Sequence, residues 1–509
     1  MKKNLFKLLI FGIFIFLAFD INVKAAPEDY QLYLEESNLA NLEVYQSTGV
    51  LKVTGVSNYE TFEAHKILDV YYNSETNEML YGFTSTFYDF LFNQGLGIDS
   101  EHPFTVDDYF ALTSGDITSG STITASELDL LMSNYAAYIK QNSITGLNMA
   151  VSYQVASLIS AAGAYLVLPT KTDDRVYAVM VGNIDMYASG TEWKVNDETI
   201  VAKTSNIDIR KILTDMSGNY MGNAIIGRDF ISKTEITAPI YPTNATNKKL
   251  ALTEMLEDGY TFGGLSTIGL DAGGISYSNN NGIFTDADGN IVATATFTEQ
   301  VLTVEFNADY IYTPDINISY SVRLNENAKI GSKNIINVEL TYSNDAYGTG
   351  ATVKTASALI YTYGIQIYKY DYDDNSPLSG AVFEVYNDKN LTDLIGTITT
   401  DETGIGRFVG VEAGSIYLKE VKAPTGYKLM RDIITISELA PTAIEDEVEI
   451  EVPYGYRMAY IPNEKMGILP VTGGIGTVIY TIIGLITIAG SISFISIYKS
   501  KKNNENFQV

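Results

Sequence analysis

The sequence has no cysteine, two histidines (His65 and His102), one tryptophan, and only 33 Lys+Arg against 61 Asp+Glu in 509 residues. The missing cysteine removes disulfides, thiolate metal sites and cysteine nucleophiles together. Two histidines far apart in sequence leave imidazole catalysis few places to stand. No metal-ligand cluster occurs at a known spacing, so neither a metal nor a cofactor is expected. A formal charge of −28 lacks the basic surface that neutralises phosphates, which argues against nucleic acid as a partner. No nucleophile, base and orienting group stand in a recognisable arrangement, so the chain does not read as an enzyme. What is plentiful is tyrosine, 37 residues, with Thr, Val and Ile, a composition suited to β-structure. A hydrophobic fraction of 46% supports packed cores, and the length allows about three domains.

The two ends differ from the body. Lys2, Lys3 and Lys7 precede an apolar run from Leu8 to Phe19, followed by Val23, Lys24 and Ala25. This is the pattern of a secretory signal, residues 1–25, cleaved after Ala25. Residues 475–498 contain no charge, long enough for a transmembrane helix, and Lys499, Lys501 and Lys502 follow. The positive-inside bias puts residues 499–509 in the cytoplasm and the remainder outside the cell. Loss of both basic ends makes the mature chain more acidic than the raw count.

The body reads as an all-β chain of tandem sandwiches. Short alternating stretches, such as 335–342 and 365–369, are separated by Gly, Asn and Asp clusters. Asp288-Gly289-Asn290 between two apolar stretches predicts a hairpin. Helical periodicity is confined to the first third, over 125–141, and reads as an insertion in the first domain. The expected domains are 26–203, 204–357 and 358–464, with a linker and anchor motif over 465–474.

Side chains alternate faces along a strand. Lys369 therefore shares a face with Ile365 and Ile367, Glu420 with Ile416 and Leu418, and Asn463 with Ala459 and Ile461. Three polar groups in register with apolar residues, from early, late and last strands of one domain, predict a polar site inside its core. In the middle domain Lys211 shares a face with Ile207 and Ile209, and Glu254 with Leu250 and Leu252.

Several ordered motifs carry a family resemblance. Leu469-Pro470-Val471-Thr472-Gly473, just before the apolar span and basic tail, resembles the LPxTG cell-wall sorting signal of Gram-positive surface proteins. Residues 367–371, 377–386, 400–404 and 414–427 resemble the SpaA/Cna B-type prealbumin-like domain of Gram-positive pilins and adhesins, and the last of these stretches is similar to its E-box. Residues 226–262 and 324–364 are similar to the second, isopeptide-forming domain of LPxTG major pilins.

The resemblance implies a structural subunit of a sortase-assembled pilus, covalently joined to other subunits and to peptidoglycan. A sortase would cleave after Thr472. Lys369 and Asn463 would form a spontaneous isopeptide bond, with Glu420 as proton shuttle. The middle domain would repeat this with Lys211 and Glu254. Parity favours Asn344 as its acceptor, while Asn337 lies nearer the family's position. Lys203, in 199–206, corresponds to the lysine through which such pilins polymerise, although the Tyr-Pro pair of that motif is absent. The alternative is a monomeric wall-anchored adhesin that binds a host surface ligand through its N-terminal domain.

Overall fold

The computed structural model describes residues 31–33, 42–73, 78–94, 125–242, 244–437, 451–467 and 476–505. The predicted signal, His102 and the Leu469–Gly473 motif lie outside them. The described chain is mostly β-structure and divides into two units, one ending at Thr362 and the other beginning at Tyr363.

The first part of unit one is built on β1 (Thr48–Thr54), β2 (Thr61–Asn73), β3 (Glu78–Phe83), β4 (Val155–Ala161), β5 (Gly163–Lys171), β6 (Met180–Ile184) and β7 (Glu198–Val201). One sheet contains β3-β2-β5-β6 and a second β7-β1-β4. Helix α1 (Ser85–Asn93) starts at Thr84, whose hydroxyl accepts the Phe87 N–H at 3.4 Å, satisfying one orphan donor of its first turn. Helix α2 (Ala125–Gln141) occupies the predicted helical stretch. Leu128, Leu131, Met132, Tyr135 and Ile139 recur at helical spacing and are buried. The Tyr135 ring meets Phe87 and Phe90 of α1 at 4.8 and 5.1 Å between centroids.

The second part comprises β8 (Asp208–Thr214), β9 (Asp229–Thr237), β10 (Leu250–Leu256), β11 (Ile291–Thr298), β12 (Val301–Phe306), β13 (Asp315–Leu324), β14 (Asn334–Tyr342) and β15 (Thr352–Ile360). The order β8-β9-β13 forms one layer and β11-β12-β10-β14-β15 the other. Strict burial alternation along β9 and β10 shows why these sequences make half-buried strands. The predicted hairpin forms between Ile283–Thr285 and β11, with Gly289 at φ +85°, a conformation costly for a residue with a Cβ.

One continuous apolar cluster runs from Leu51 to Ile360. The first and middle domains, expected as separate sandwiches, thus share a core. Their seam is also polar. Lys140 pairs with Asp345 at 3.2 Å, Lys354 with Asp174 at 2.8 Å, and the Tyr342 hydroxyl donates to the Asp174 carbonyl. The expected boundary at 357 moves to 362, because β15 pairs with β14 along its whole length, ending with Ile360 opposite Asn334.

Unit two contains β16 (Tyr363–Asp371), β17 (Val382–Tyr386), β18 (Leu394–Thr399), β19 (Ile405–Val411), β20 (Ile416–Lys422), β21 (Ile434–Ile436) and β22 (Tyr456–Asn463). Its sheets are β19-β16-β22 and β18-β17-β20-β21. First and last strands, β16 and β22, lie side by side and parallel. Ile365, Ile367, Phe383, Leu418 and Ile461 form the centre of its core. Helix α3 (Gly476–Glu505) covers nearly all of the predicted span; its 478–501 stretch is long and apolar enough to cross a membrane.

Candidate functional site

In unit two the predicted polar group assembles. Lys369 on β16, Glu420 on β20 and Asn463 at the end of β22 are all buried. The alternation that turns Ile367 and Leu418 into the core turns these polar groups in with them. Parallel pairing sets Lys369 opposite Ile461 and Asp371 opposite Asn463, so the amine and the carboxamide are diagonal neighbours.

The Lys369 ammonium lies 3.4 Å from Glu420 Oε1 and donates to the Pro462 carbonyl at 3.3 Å. It also sits 5.6 Å from the centre of the Phe383 ring. Burial pushes its pKa down, against the opposing attraction of Glu420. Glu420 Oε2 accepts the Met430 N–H at 2.6 Å, which orients the carboxyl, while Oε1 has no hydrogen bond of its own. Asn463 Oδ1 accepts the Glu464 N–H at 3.1 Å, and its buried Nδ2 has no hydrogen bond. Buried carboxamide donors are seldom left unpaired, which sets this nitrogen apart.

Sequence reading missed Asp371 and Tyr427 beside this group. The Tyr427 hydroxyl donates to Asp371 at 2.5 Å and Lys465 pairs with the same oxygen at 3.0 Å. Those partners, the tyrosine first, hold the Asp371 carboxyl at about 2. The contact ties the loop after β20 to the end of β16. Asp371 shares the parity of Lys369, which was the available signal.

The middle domain brings together only half of its predicted set. Lys211 on β8 and Glu254 on β10 form a fully buried ion pair. Lys211 also donates to Thr234 Oγ1 at 2.9 Å, and the Tyr320 hydroxyl donates to Glu254 at 2.5 Å. Burial pushes the Lys211 pKa down and the Tyr320 pKa up. Thr234 and Tyr320 escaped notice because each shares a strand face with apolar residues, as an ordinary core position would.

Neither expected acceptor stands at this pair. Asn337 is exposed, since its β14 parity turns it away from the core. Asn344 lies past the end of β14, where its carboxamide donates to the Asp173 carbonyl at 3.3 Å, in the seam with the first domain. The parity argument failed for Asn344 because β14 ends at Tyr342 and does not continue to it.

Lys203 is exposed between β7 and the short Thr204–Ser205 strand, and its carbonyl accepts the Ala178 N–H at 3.0 Å. It belongs to neither buried cluster.

Comparison with known proteins sharpens the class. Residues 363–449 match the SpaA prealbumin-like fold domain, and residues 461–506 match the LPXTG cell wall anchor motif. With the apolar helix, these fit a cell wall-anchored extracellular surface protein that carries a prealbumin-like domain.

Among particular proteins, the chain is similar to the trypsin-resistant surface T6 protein of Streptococcus pyogenes serotype M6. The two are 28% identical over 308 residues, 54% of this chain and 56% of the relative, so the match spans about half the relative's length. The solved T6 backbone pilin superposes with a TM-score of 0.61 at 20% identity, covering 84% of this chain and all of that one. The full-length major pilin SpaD of Corynebacterium diphtheriae gives 0.51 at 16% identity, covering 83% and 98%. At these identities the two structures establish the fold.

Proposed function

We propose that the chain is a structural, non-enzymatic subunit of a sortase-assembled pilus, bound covalently to other copies and to peptidoglycan. The observation that carries this reading is the anchor motif behind a buried Lys369–Glu420–Asn463 group in a pilin-type fold. A sortase cleaves between Thr472 and Gly473 and passes the Thr472 carbonyl to an amine, so that covalent catalysis divides one difficult step in two. Lys203 supplies that amine during polymerisation. It is exposed, as a group that must enter another enzyme's cleft has to be.

Within unit two, Lys369 and Asn463 close an amide bond. A charged ammonium, with an ordinary pKa near 10.4, is no nucleophile. Burial favours the neutral pair, so Glu420 takes a proton from Lys369. The amine attacks the Asn463 carboxamide carbon, and a C–N bond forms while the bond to Nδ2 breaks. Glu420 passes its proton to the departing nitrogen and accepts the one shed by the new amide nitrogen, so the departing group leaves as ammonia; no oxidant is needed. Fixed strands hold the reactants together and replace a bimolecular encounter, which raises the effective concentration enormously.

The test is the material shaved from the cell surface. A ladder of high-mass, SDS-resistant species that disappears on deletion of the sortase supports a polymer. A single anchored band supports a monomeric adhesin instead.

A further inference from the structure

The middle domain repeats the lysine and the acid of unit two, but among the described residues no electrophile stands at that pair. The last strand, β15, turns Thr352, Lys354, Ala356, Ala358 and Ile360 toward the core side, none of them an asparagine or aspartate. Among the described residues, the only buried carboxamide between β8 and β15 is Asn334. Glu254 pairs with Val338, four residues along β14 from Asn334, roughly 13 Å at ~3.3 Å per residue. Asn334 is also fully engaged: it accepts the Lys329 N–H at 2.8 Å and donates to the Lys329 carbonyl at 3.1 Å. Lys211 meanwhile has complete polar company in Glu254 and Thr234.

We propose that Lys211 stays a free amine in the mature protein, and that the middle domain is therefore the extensible link of the subunit. The path of the force follows from the connectivity. If subunits join through Lys203 and Thr472, as the polymer reading holds, tension enters after the first domain and leaves after unit two. Only two domains then lie on the path. In unit two a bond between β16 and β22 would tie first strand to last and carry the force. In the middle domain β8 and β15 are joined by packing and by the Lys354 hydrogen bond to the Ile207 carbonyl, and the buried Lys211–Glu254 pair ties β8 to β10; these non-covalent contacts separate under load and re-form when it is released.

The chemical state of Lys211 is read on the full ectodomain, denatured and treated with an amine-acylating reagent, then digested and mapped. Quantitative acylation of Lys211 in a linear peptide is expected. A branched peptide joining Lys211 to any other residue overturns the proposal. This readout is independent of polymerisation and of Lys369, so failure of the pilus reading leaves it intact.

The mechanical claim uses the absence of cysteine. Handles attached through K203C and M466C place load on the proposed path. One unfolding step releasing roughly 550 Å is expected, the contour length of the stretch from 204 to 362 at about 3.3–3.6 Å per residue. A trace with no step before the tether breaks overturns it.

Discussion

Lys369 donates a 3.3 Å hydrogen bond to the carbonyl of Pro462, the residue that precedes Asn463. This contact brings the amine of the first strand against the end of the last strand. It results from parallel pairing of β16 with β22. The carboxamide of Asn463 is buried, and its nitrogen, which leaves in the proposed reaction, has no hydrogen-bond partner, whereas its oxygen accepts the Glu464 N–H.

Substitution of Lys369 or Asn463 by alanine should abolish the crosslink and lower stability. Closing a loop of about 95 residues stabilises by roughly 4–5 kcal/mol in the chain-entropy account developed for disulfides. Chemical denaturation of the isolated ectodomain should show that loss in the transition of unit two alone. Glu420→Gln should leave an unreacted chain with the fold retained, because the acceptor and amine remain while the proton carrier is gone.

Glu254→Gln should destabilise unit one, since removing one partner of a buried ion pair leaves the other charge uncompensated, at about 3–5 kcal/mol. The double substitution K211M/E254L should recover much of that loss. A double-mutant cycle in denaturant measures the coupling, and additivity of the two single variants would argue against the pair.

Acid should act oppositely on two sets of carboxyls. Burial raises Asp185 to about 6 and, with help from Asp185, Glu198 to about 7. A raised carboxyl pKa means the folded state keeps a proton that the unfolded state releases. This contribution is full below the ordinary values of 3.8 and 4.5 and fades as pH rises through 6 and 7. Asp371, held at about 2, stabilises unit two above 3.8 and loses that contribution as pH falls through 2. Calorimetry across this range should show D185N/E198Q flattening the response of unit one, and D371N that of unit two.

Thr472→Ala should keep the protein in the membrane and remove the surface ladder. Lys203→Arg should remove the ladder but leave a wall-linked monomer. Blotting of wall and membrane fractions distinguishes the two, and an unchanged ladder in K203R would assign polymerisation to another lysine.

Much of this was legible in the sequence. Strand parity alone placed Lys369, Glu420 and Asn463 in one core, because period-two alternation is rigid within a continuous strand. It misled at Asn344 because parity says nothing about where a strand stops, and β14 stops two residues earlier. The shared core of the first two domains was invisible for a related reason: Tyr342 and Asp174 are distant in sequence, and nothing local signals that they meet. Helix α1 was overlooked because its Phe-rich stretch is too short to display helical periodicity clearly.

The most direct measurement is the intact mass of the wild-type ectodomain, expressed without a sortase. The account predicts a chain lighter than its sequence by one ammonia, with the deficit lost in K369A and retained in K211A. The full unreacted mass would contradict the crosslink in unit two, and a deficit of two ammonias would contradict the uncrosslinked middle domain.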